Sequence, residues 1–95
     1  MNHNYKIIIT SDSYMTIVAL ATSKFILSFQ QECNGENLCG IVLSVHTVCD
    51  KLNRSEIIVQ VSLTDKNICM IRDKMINLIN KIKSEYKVNI EMVLV

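Results

Sequence analysis

Proline is absent from this chain and glycine occurs twice, while isoleucine, asparagine and lysine are frequent, a bias that matches an AT-rich genome and points to a low-GC bacterium. No charge of one sign dominates. Lys plus Arg number 10 and Asp plus Glu 9, so there is no basic field of the kind that nucleic acid or an anionic membrane surface requires. Although 49% of the residues are hydrophobic, no stretch approaches the roughly 18 to 20 apolar residues of a membrane span, and a soluble protein is expected. The N-terminus, Met-Asn-His-Asn-Tyr-Lys, has no basic region followed by an apolar block and a small-residue cleavage site. A cytoplasmic location is therefore expected. Cys33, Cys39, Cys49 and Cys69 form no C-x-x-C pair, and in a cytoplasmic chain they read as small hydrophobes rather than a disulfide framework. There is no P-loop, dinucleotide fingerprint or paired-carboxylate motif, and with only His3 and His46 available no nucleophile triad assembles. Neither catalysis nor a cofactor is expected.

What is present suits one domain over residues 1–95. Tyr5 to Thr10 is a β-branched run of strand length. From Thr16 to Lys24 the spacing of Ile17, Leu20 and Ala21 predicts a short helix, with Ser13 or Asp12 as its N-cap. The junction between them, Ser11 to Val18, presents free backbone N–H groups and the positive end of a helix dipole to an anion. Phe25 to Cys33 alternates like a half-buried strand, and Asn34-Gly35 follows as the strongest hairpin signal in the chain. A return strand over Glu36 to Cys39 and a helix from Ile41 to Leu52, with Ile41, Val45, Val48 and Leu52 on one face, come next. Glu56 to Leu63 alternates cleanly as a strand. Asp65 opens a long helix with Ile68, Ile71, Met75, Leu78, Ile79 and Ile82 in one stripe, and Val88 to Val95 alternates again as a final strand. The predicted order is β-α-β-β-α-β-α-β, with three helices on one face of a mainly antiparallel sheet.

Up to the last strand, that order resembles the HPr family, the histidine-containing phosphocarriers of the bacterial sugar phosphotransferase system. The likeness covers about residues 4–84 and rests on the element order, the Asn34-Gly35 hairpin and Asn37-Leu38-Cys39-Gly40-Ile41-Val42, which is similar to the family's Asn-Leu-Lys-Ser-Ile-Met. It implies an open-faced β-sandwich, with residues 87–95 as an additional C-terminal strand. In the family, a Leu-His-Ala-Arg-Pro-Ala motif carries the phosphorylated histidine. Here the matching stretch puts Tyr14 at the histidine, Thr16 at the arginine and Ile17 at the proline, and the regulatory serine falls on Gly40. A phosphate ester on a phenol transfers far more reluctantly than a phosphoryl group on imidazole, so the resemblance implies a degenerate member that has lost phosphotransfer.

The function expected on that basis is a non-catalytic, regulatory or protein-binding module, docking a protein partner on its first and second helices through Ser13, Tyr14, Thr16, Ile17, Gly40, Ile41 and Leu43. His46 and Cys49 stand at i and i+3 on the predicted second helix, yet no second ligand pair accompanies them, so no metal is expected. The final strand needs a neighbour for its backbone groups, either within the chain or across a homodimer. Three alternatives stand beside this reading: an active phosphocarrier with an unusual acceptor, a homo-oligomeric structural domain, and a ferredoxin-like ligand-binding domain such as an ACT module, which shares the β-α-β-β-α-β order.

Overall fold

The computed structural model describes residues 3–12, 15–35, 41–48, 53–61 and 65–94, with the backbone alone at His3, 41–48 and 65–67. Six elements follow one another: β1 (His3–Thr10), α1 (Met15–Gly35), β2 (Ile41–Val48), β3 (Arg54–Val61), α2 (Asp65–Tyr86) and β4 (Asn89–Leu94). The strands form one sheet in the order β2-β3-β1-β4, antiparallel at every pairing. Each helix therefore crosses over one intervening strand, α1 between β1 and β2 and α2 between β3 and β4. The pleat of β1, β3 and β4, with the alternation expected at the last two, places Tyr5, Ile7 and Ile9, then Ser55, Ile57, Val59 and Val61, then Ile90, in the buried layer. Both helices cover this layer. Their stripes are Val18, Ala21, Phe25, Phe29 and Cys33 on α1, and Ile68, Ile71, Met75, Leu78, Ile79 and Ile82 on α2.

Two of the expected elements change type, and with them the HPr-like sandwich of three helices is replaced by a sheet carrying two. Residues 25–33 are not a strand: α1 runs unbroken through them to Gly35, so the Asn34-Gly35 pair ends a helix instead of turning a hairpin. Phe25 and Phe29 are four apart, a spacing that fits one face of a strand and one face of a helix alike. Continuity with Val18 and Ala21 selects the helix, and the Phe25 and Phe29 rings stack with centroids 5.7 Å apart. Leu27, which a strand would turn inward with Phe25 and Phe29, is 59% exposed. Conversely, the predicted second helix is β2, in register with β3 from Ile41 opposite Val61 to Val48 opposite Arg54. Five of its eight residues, Ile41, Val42, Val45, Thr47 and Val48, are β-branched, which suits a pleated strand better than a helix.

Local polar contacts fasten the frame. Thr22 is buried on α1, with its Oγ1 2.7 Å from the Val18 carbonyl oxygen and 2.9 Å from Ser55 Oγ on β3. A hydroxyl carries one proton, so one bond uses the Thr22 proton and the Ser55 hydroxyl supplies the other. This ties α1 to the sheet without leaving either buried oxygen unpaired. At the end of α2, Lys87 takes a left-handed conformation with φ of 55°, and its N–H donates to the Lys83 carbonyl at 3.1 Å, an αL cap.

Two stability measurements check these assignments. Phe25→Ala should lower stability in urea by about 3–5 kcal/mol through the cavity it leaves, while Leu27→Ala should stay within about 0.5 kcal/mol; comparable losses at both positions would restore the strand. Lys87→Gly relieves the left-handed strain of a side-chain-bearing residue and should raise the unfolding midpoint, by up to about 1 kcal/mol in free energy.

Candidate functional site at the free edge of β4

β4 pairs on one side only, with β1, from Tyr5 opposite Leu94 to Thr10 opposite Asn89. It ends the sheet, so its outer row of N–H and C=O groups has no strand beside it among the described residues. Beneath this edge lies an open groove of about 450 Å³, lined by Tyr5 of β1, Met92 and Leu94 of β4, and Ile68, Arg72 and Ile76 of α2. The helical contributors are spaced by four, which brings one residue per turn to the same wall. Exposure rises along β4 toward the groove's open side: Ile90 is buried, Met92 half-buried and Leu94 67% exposed. Val93, on the opposite face, is 44% exposed. Arg72 is the charged residue among the lining side chains, at the exposed lip of a wall otherwise apolar apart from the Tyr5 hydroxyl.

The sheet face away from the helices is charged near its middle. Glu56 accepts from Arg54 on its own strand and lies 3.7 Å from Lys6 Nζ on β1, all three part-buried. Ile8 and Ile58 are half-buried on that face, with Glu91 exposed opposite Ile8. The Arg54 Nε and Asn4 Oδ1 atoms are buried with no hydrogen-bond partner among the described residues. Among the described residues, no three His, Cys, Asp or Glu side chains converge. Burial pushes the Cys33 thiol above its ordinary value, with the Lys74 ammonium opposing and the Glu32 carboxylate adding to the rise, whereas Cys69 lies exposed on α2.

Of the expected docking residues, only Thr16 and Ile17 have described side chains. Ser13, Tyr14 and Gly40 lie outside the described residues, as do Cys39 and Cys49. Thr16 is exposed and Ile17 half-buried in the first turn of α1. Ile41 and Leu43 belong to β2, and His46 is the register partner of Glu56, so the second helix on which a partner was to dock is a strand at the far edge of the sheet. The groove residues were missed because they come from three elements, β1, α2 and β4, that only the fold brings together. One trace was legible: Ile76 falls off the main apolar stripe of α2, and here it is 37% exposed beside Leu94 rather than in the core.

Neither a family model nor a curated protein matches the chain. Solved structures do. An amidase of the hydantoinase/carbamoylase family from Burkholderia multivorans superposes with a TM-score of 0.75 at 10% identity, over 99% of this chain and 27% of the amidase. A de novo designed protein with a ferredoxin fold gives 0.63 at 11% identity, covering 99% of this chain and 84% of the design. A dimeric ferredoxin-like protein from an uncultured marine organism gives 0.54 at 12% identity, covering 100% of this chain and 89% of that one. The fold is ferredoxin-like. The phosphotransferase assignment falls with the element order that suggested it, since the similar structures are ferredoxin-like proteins and domains of hydrolases. This chain spans about a quarter of the length of those hydrolases, 27% of the amidase. Among the described residues no helix is long and apolar enough to cross a membrane.

The two thiols give a direct check on the packing around α1. Iodoacetamide at neutral pH should modify Cys69 rapidly and Cys33 at least about tenfold more slowly, with Cys33 catching up once urea unfolds the chain, as read by peptide mass spectrometry. Equal rates in the folded protein would contradict the burial of the last turns of α1.

Proposed function

We propose that this ferredoxin-like domain works by association rather than by catalysis, accepting an added β-strand along the free edge of β4. The observation that carries this reading is the edge itself: among the described residues no strand pairs with the outer side of β4, Leu94 is exposed at an apolar groove, and Val93 is exposed on the other face. A strand laid there gains backbone hydrogen bonds along the edge, and the alternate side chains facing the helices enter the groove. Specificity comes from that groove, with Ile68, Ile76, Met92 and Leu94 selecting apolar side chains and Arg72 favouring a carboxylate at the lip. The free edge lacks the usual protections of proline, inward-pointing charge or a covering loop among the described residues, and Glu91 is the one ionised side chain on β4. Two likenesses support an associating module: one similar ferredoxin-like protein is dimeric, and in the amidase the same fold occupies about a quarter of a longer chain.

A fluorescein-labelled peptide with the sequence of β4, titrated with the intact domain, tests this. Saturable polarisation that Leu94→Asp weakens at least about tenfold is the expected result. Binding that is indifferent to Leu94→Asp, or no binding to a wild-type domain diluted until it is monomeric, would overturn the assignment of the edge.

A further inference from the structure

Resting on that reading, we infer that the strand received at this edge is β4 of a second copy, paired antiparallel about a two-fold axis through Met92, so that two four-stranded sheets become one of eight. The first argument is parity. Residues opposite each other across an antiparallel pair share a face, so a symmetric β4 pair must place one residue opposite itself. Two centres lie near the middle of Asn89–Leu94 and pair at least five of its six residues, Glu91 and Met92. Centring on Glu91 sets two carboxylates directly against each other, which is destabilising, and puts exposed Val93 opposite Asn89. Centring on Met92 sets Met92 against Met92, Ile90 against Leu94 and Glu91 against Val93, with no like charges opposed.

The second argument is what this register covers. On the helix-covered face, Ile90, Met92 and Leu94 of both copies make one continuous row, which closes each groove from its open side and covers Leu94, while on the other face the stem of Glu91 from the second copy lies against exposed Val93. The third is charge. A formal net charge of +1 gives two copies little reason to repel, and an isologous edge closes the assembly at two, leaving no second β4 edge for a fibre to grow on.

Sedimentation equilibrium of the full chain should show a dimer that dissociates on dilution and is lost in Leu94→Asp. Mild oxidation, in a Cys69→Ser background with linked peptides mapped by mass spectrometry, should join Met92→Cys to its copy rapidly, because directly opposed Cβ atoms lie about 4.5–5.5 Å apart. Glu91→Cys should link slowly, its copy lying diagonally at about 7–8 Å. Should Met92→Cys fail to fold, Glu91→Gln decides the register. Dimer affinity within about twofold of wild type supports the Met92 axis, and tightening of about fivefold, the relief expected from separating opposed carboxylates, overturns it. Faster linkage at position 91 than at 92 overturns the register as well. A chain that stays monomeric while binding the β4 peptide overturns the second copy as occupant and leaves the strand-accepting edge standing; a monomeric chain that also ignores the peptide overturns both.

Discussion

β1 is paired on both sides, with β3 and with β4, and its inward residues Tyr5, Ile7 and Ile9 have to be kept from water along the whole strand. One helix, about 10 Å across, cannot cover that width of sheet. α1 packs over β1 and β3, α2 reaches toward β4, and the two meet above β1, where Phe25, Phe29, Ile71 and Met75 exclude solvent completely. The two crossovers serve this geometry. Because each helix returns the chain along the length of eight-residue strands at less than half their rise per residue, α1 and α2 are both long, at 21 and 22 residues.

Centring the structure on β1 also decides where it is weakest. β2 and β4 become edges, and β4 is the shortest strand, with six residues against eight in each other strand. Leu94 continues the inward alternation of Ile90 and Met92 but is left 67% exposed, facing Ile68, Arg72 and Ile76 of α2 across the groove. The groove is the consequence: a core-like position that the covering layer does not close over. Elsewhere, exposed apolar residues such as Leu20 and Leu27 stand singly on the outer side of α1, and single exposed hydrophobes need no partner. At β4 a backbone edge with no strand beside it among the described residues coincides with uncovered side chains, and it is the coincidence that makes the site.

Polar groups are placed with the same economy. Thr22 and Ser55 answer each other across the α1–β3 interface, and Glu56 gathers Lys6 and Arg54 on the uncovered face, where partial exposure limits each ion pair to at most about 1 kcal/mol. These contacts orient elements rather than carry the stability, which lies in the apolar layer between helices and sheet.

The sequence by itself determined β1, β3, α2 and β4, because their apolar periods are long enough, or pure enough, to admit one secondary structure: Ile57, Val59 and Val61 at period two, and Ile68 to Ile82 at helical spacing. It did not determine 25–48. Phe25 and Phe29 satisfy both periods, and Ile41, Val45 and Val48 mimic a helical stripe over a span in which β-branched residues prefer a strand. Only the tertiary structure resolved them. The inward rows of β1 and β3 needed a helix above them and β3 needed a strand on its outer side, and those two demands assigned 15–35 to the layer and 41–48 to the sheet. The groove was beyond the sequence for the same reason. Tyr5, Arg72 and Leu94 are far apart along the chain, and only the β1–β4 register under α2 brings them together.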